Sequence, residues 1–152
     1  MRLRALNLKE ARDRAAARVI RLGKEIEITP KSADLHHLRG RAYEEVYDPA
    51  AALKDYDRAI ELDPAHKLAH FNRGLLRQAT DPTGAIADFT RAIEIDPRSA
   101  YSHYFRALMH TRTGNPNSGM MDFDRATELD LEYSPFKGPL EPFMVNRKQL
   151  TR

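Results

Sequence analysis

The 152-residue chain contains no cysteine, which excludes a disulfide framework and any thiolate chemistry. That fits a reducing compartment, so an intracellular, cytoplasmic protein is expected, with an organelle as the alternative. No stretch approaches the roughly eighteen consecutive apolar residues of a membrane-spanning helix, and no membrane partner is expected. The N-terminal segment MRLRALNLKEARDRAAARVIRLGK lacks the apolar core of a secretory signal. It is Arg-rich and amphipathic, as some organellar presequences are. Glu10 and Asp13 interrupt it, however, so a cleaved presequence is not expected. Catalytic signatures are missing as well: there is no Gly-rich phosphate loop and no Gly-x-Ser-x-Gly elbow. The carboxylates fall at periodic slots such as Asp57, Asp124, Glu61 and Glu94, which reads as a solvated face. Neither an enzyme nor a cofactor is expected.

What the chain does have is a period. Six of its nine prolines lie on two ladders, Pro30, Pro64, Pro97 and Pro49, Pro82, Pro116, each with steps of 33 or 34 residues. The segments between them align: KDYDRAIELDP (54–64), ADFTRAIEIDP (87–97) and MDFDRATELDL (121–131). The array divides into 33–66, 67–99 and 100–133. Each period reads as two helices, over about 34–46 and 50–62 in the first. Asp48, Asp81 and Asn115 can cap the second helix of each unit, and the proline that follows gives up no hydrogen bond at a first helical position. Asp63-Pro64 and Asp96-Pro97 end those helices. The short connections make the two helices antiparallel. Gly40, Gly74 and Ala107 share one slot and Ala59, Ala92 and Ala126 another, beside Tyr56, Phe89 and Phe123. A small residue admits the facing helix and a ring fills the space next to it, so this set reads as core.

With its period, the glycines Gly40 and Gly74, the alanines Ala52, Ala59, Ala85 and Ala92 and the closing Asp-Pro, the array resembles tetratricopeptide repeats over 33–133. The resemblance implies an all-α, right-handed superhelical array of antiparallel helix hairpins. Residues 1–32 form an N-terminal helix with a half-repeat cap, because RVIRLGKEIEITP (18–30) aligns with the second helices. There are departures. His36, His70 and His103 stand where the family usually has a large aromatic, and Arg39, Arg73 and Arg106 stand where it usually has Leu. The third unit has Gly119 for alanine and Leu131 for the final proline.

Arg39, Arg73 and Arg106 recur with Asp55, Asp88 and Asp122 at separations of 15 or 16, so three Arg–Asp pairs are expected to fix hairpin register. The histidines of the aromatic slot come one per repeat, and the stacking distance separates them. They read as packing, with no metal site.

The first helices of such arrays line a concave groove. On the family's geometry the groove here is lined by His37 and Arg41, then Leu68, Phe71, Asn72 and Leu75, then Tyr101, Tyr104 and Leu108. It is charged at one end and aromatic at the other, which suits a partner peptide or helix. Some relatives clamp acidic chaperone tails with Lys, Asn and Arg. Only Asn72 matches such a slot here, while Leu38 and Phe105 replace others, so no chaperone-tail clamp is expected. The tail, 134–152, is too apolar at Phe136, Leu140, Phe143, Met144 and Val145 to hang free; it caps the array or docks on another chain.

Residues 1–31 carry a net charge of +5, the three units −4, +1 and −2, and the tail +3. The expected function is therefore a protein–protein interaction module, an adaptor or a subunit of a larger complex, with self-association open. The alternative is an RNA-associated subunit that contacts nucleic acid through the basic N-terminal helix.

Overall fold

The computed structural model describes residues 2–129, with side chains from Asn7 onward. Among the described residues there are seven helices and no strand: α1 Arg2–Ile28, α2 Ala33–Glu45, α3 Pro49–Leu62, α4 Lys67–Arg77, α5 Pro82–Ile95, α6 Ala100–Arg112 and α7 Pro116–Leu129. The chain forms two compact units that divide between Leu76 and Arg77. The tail beyond 129 lies outside the described residues, and with it both readings of what it does.

Local backbone chemistry sets the helix ends. Pro49, Pro82 and Pro116 are the first residues of α3, α5 and α7. The Asp48 carboxylate accepts the Ala51 N–H at 3.0 Å, and that of Asp81 accepts the Gly84 N–H at 2.8 Å. Each satisfies a donor that the first helical turn leaves without a partner. Ser32 and Ser99 cap α2 and α6 in the same way. Asp63 and Asp96 close α3 and α5 in extended conformation, just before proline.

In the first unit α2 packs on α3 and α1 packs on α2. The core between α2 and α3 is Ala42, Ala52, Tyr56 and Ala59, all fully buried. Gly40 makes this fit possible, since a Cβ there would stand 2.6 Å from Tyr56 Cε1. α1 contributes Ala15, Leu22 and Ile26 to the buried interior. Where α3 has Ala52, Asp55 and Ala59, α1 has Arg18, Arg21 and Glu25 one period earlier, charged side chains in place of packing ones.

In the second unit α5 packs on α6 and α6 on α7, around Ala85, Phe89, Ala92 and Ala107. Phe105 stacks on Phe89 with ring centroids 5.9 Å apart. The close approach of α6 and α7 uses Gly119, where a Cβ would meet the Ala107 carbonyl at 2.9 Å.

Candidate functional site

One buried polar device recurs in the hairpins. The Arg39 guanidinium donates two hydrogen bonds of 2.7 Å to the Asp55 carboxylate, and the His36 ring reaches the same carboxylate through Nδ1 at 3.2 Å. His36 Nε2 faces the Pro30 carbonyl at 3.4 Å, so the ring ties the turn before α2 to α3. The second unit repeats the arrangement with Arg106, Asp122 and His103, whose Nε2 lies 3.2 Å from the Pro97 carbonyl. Burial alone would push the Asp122 carboxyl up; the hydrogen bonds from Arg106 and His103 outweigh it and hold the acid below its ordinary range. The Asp55 carboxylate in turn holds the Arg39 guanidinium more firmly protonated than usual. In the middle repeat His70 keeps the proline contact, Nε2 to the Pro64 carbonyl at 3.1 Å. Arg73 donates to Asp57 at 2.7 Å, and Asp88, in the other compact unit, accepts from Arg77 at 3.0 Å. The histidine slot is thus a hydrogen-bonding position, which spacing alone does not reveal.

A second polar network belongs to the first unit. His66 Nδ1 accepts the Ala69 N–H at 3.2 Å and so caps α4. An acceptor at Nδ1 puts the ring proton on Nε2, which donates to Asp34 at 3.0 Å. The His66 ring lies 4.9 Å from that of His37, centroid to centroid. Asn72 donates its amide to His37 Nε2 at 3.0 Å and also hydrogen-bonds the Tyr56 hydroxyl, which itself donates to Glu44. Burial first, then the repulsion that a protonated His66 would add and the positive charge of Arg41, lower the His37 pKa to about 4, so the ring is neutral. Burial and the Glu44 contact raise the Tyr56 pKa.

Reading the histidines as one per repeat leaves out His66, which stands four residues before His70, the spacing of two ligands on one helix face. His66 precedes α4, and its ring is spent on Ala69 and Asp34. The signal that finds it is repeat alignment, which puts His66 in the slot of the capping serines Ser32 and Ser99. Among the described residues no group of three or more His, Asp or Glu side chains could hold a metal ion.

The groove residues expected from the sequence take different positions. In the first unit His37 is buried, with Arg41 exposed, Leu68 half-exposed, and Phe71, Asn72 and Leu75 partly covered. In the second unit Tyr101 is 43% exposed. Leu108 and Tyr104 are partly covered, and Tyr104 packs edge-on against Phe105 at 5.4 Å and at a tilt against Phe123 at 6.3 Å. Burial raises the Tyr104 pKa.

Two family models, both described as tetratricopeptide repeat, match residues 33–66 and 75–127, together more than half of the chain. The chain belongs to the tetratricopeptide-repeat family. The family's fold is generally a non-catalytic interaction scaffold, and solved structures of the same fold agree with the assignment. One is MamA, at 21% identity and a TM-score of 0.71 over 78% of this chain and 70% of that one. Another is YrrB, a tetratricopeptide-repeat protein with an unusual peptide-binding site, at 20% identity and 0.68 over 96% and 69%. A third is the second repeat domain of Spaghetti (RPAP3) bound to the HSP90 peptide SRMEEVD, at 24% identity and 0.63 over 69% and 98%. No curated protein matches the chain. The tetratricopeptide repeats here form an all-α solenoid of helix hairpins, and among the described residues no helix is long and apolar enough to cross a membrane.

Proposed function

We propose that this chain is a non-catalytic adaptor or structural subunit that holds a peptide or helix of a partner protein against the first-helix faces of its repeats. The observation that carries this reading is the recurrence of Leu68 and Tyr101. They occupy equivalent positions on α4 and α6, and they are 50% and 43% exposed. Large apolar side chains that leave about half their surface in water at the same slot of successive repeats suit a partner that covers them. Phe71 and Tyr104 follow one turn later and extend the apolar strip in each unit. The peptide it suits is apolar and aromatic in its anchors. Leu38 and Phe105 replace the polar side chains that an acidic chaperone tail would need, so a ligand like that of the Spaghetti domain is not expected here.

The RNA alternative has less to rest on. Of the α1 cations, Arg14, Arg18 and Arg21 are each already paired with a glutamate: Glu10, Glu45 and Glu25.

The test is a pull-down from native extract with wild type and with Leu68→Ala/Tyr101→Ala, followed by mass spectrometry of the co-purifying chains. Both residues are exposed, so the variant keeps its helical content and melting. Loss of chains that wild type retains supports the reading, and identical recovery refutes it. Affinity for single-stranded RNA that falls steeply with salt would move the assignment to the alternative.

A further inference from the structure

Tyr47 closes α2 in the left-handed region, at φ 64, the only such non-glycine residue among those described. The turn carries two backbone hydrogen bonds, Tyr47 N–H to the Glu44 carbonyl at 3.0 Å and Asp48 N–H to the Tyr43 carbonyl at 2.9 Å. This is a helix-terminating turn that favours glycine at its left-handed position. The turn after α6 is built in the same way and has Gly114 there, at φ 83. A tyrosine in that conformation is strained. The strain serves no interior, because Tyr47 is 78% exposed. An observed backbone outlier without a packing reason points toward function.

Its surroundings suit a protein surface. The ring lies under the Arg12 guanidinium at 6.0 Å and borders a cleft of about 520 Å³ between α1 and the end of α2. Leu8, Lys9, Glu44 and Glu45 line the same cleft. On α1 an apolar stripe runs through Ala15 and Leu22, both buried; its next member, Leu8, is 64% exposed. Both charge signs are present. Lys9 and Arg12 form no ion pair with any described residue, while Glu45, ion-paired with Arg18, keeps nearly half of its side chain exposed and open to a second cation. On a larger scale the basic segment 1–31, at +5, adjoins the acidic repeat 33–66, at −4.

We propose that this edge is a homodimer interface whose occupant is a second copy of the chain. Tyr47 of each copy enters the Leu8–Arg12 cleft of the other, and Lys9 of each faces Glu45 of the other. A patch that holds an exposed ring, the open cleft which that ring borders and both charges is self-complementary, which is what a two-fold interface requires. Neither a polyanionic strand nor a strongly acidic peptide is matched to a cleft flanked by Glu44 and Glu45. This proposal does not rest on the peptide-binding reading, which uses other residues.

The experiment is sedimentation equilibrium of the full chain at low salt, over about 1–100 μM, the range of a small interface. Wild type is expected to pass from monomer to dimer mass. Tyr47→Gly, which suits the turn, stays folded with an unchanged or higher melting temperature, and its dissociation constant rises at least about tenfold. Lys9→Glu and Glu45→Lys each remain monomeric alone, and their equimolar mixture dimerises like wild type, because only the mixed pair restores both contacts. Three results would each overturn the proposal: a wild type that stays monomeric throughout, even one that binds RNA through α1; a Tyr47→Gly variant that dimerises as wild type does; or a charge-swapped mixture that stays monomeric.

Discussion

Arg39 and Asp55 lie on opposite helices of the first hairpin, sixteen residues apart, and meet through two parallel hydrogen bonds of 2.7 Å. The carboxylate is buried while the guanidinium keeps one edge in water. Such a pair contributes geometry more than net energy, because its attraction is largely offset by desolvation. Breaking it from one side is a different matter. Asp55→Ala leaves Arg39 and His36 facing an empty acceptor and is expected to cost about 3 kcal/mol in urea unfolding. The double variant Arg39→Met/Asp55→Leu should recover most of that loss. Equal losses in both would show that the pair's net contribution is large.

Gly40→Ala tests the close approach of α2 and α3. The new methyl would sit 2.6 Å from Tyr56 Cε1, inside contact distance of a fully buried ring. The expected loss is about 1–3 kcal/mol despite alanine's better helix propensity. A stabilised variant would mean that the Tyr56 ring shifts at no cost.

His37 should make the fold acid-sensitive above the range where carboxylates titrate. Its pKa is about 4 in the folded chain against 6.5 when unperturbed. As pH falls below 6.5 the unfolded chain takes up the proton and the folded chain does not, so stability declines until about pH 4 and no further from this source. Between about pH 7.5 and 5.5 the loss from His37 comes to about 1 kcal/mol. Urea titrations at both pH values should show it in wild type and not in His37→Gln.

Gly114 isolates a backbone effect. A Cβ built there meets nothing within 4 Å, so a side chain has room, yet φ is 83. Gly114→Ala is therefore expected to cost about 1 kcal/mol from conformation alone. Thermal unfolding of this variant reports that cost free of packing.

The sequence by itself determined the helices and their order. Prolines lack an N–H and caps act within three residues, so Pro49, Pro82, Asp48 and Asp81 declare helix ends locally. The 33–34 residue period then fixes the hairpin architecture, because identical small and large slots must repeat the same packing. Side-chain partners were not legible, since they depend on distant residues coming together. His36 meets Asp55 across 19 positions and Asn72 meets His37 across 35. Pattern reading makes His37 a groove residue, but the folded chain buries it under Asn72. It makes Tyr104 an anchor, but Phe105 and Phe123 half-cover it. Only the tertiary structure decided which rings reach solvent, and that Tyr47 takes a left-handed turn without any core to justify it. Exposure is a property of how helices stack, and a single helix read along its sequence does not contain it.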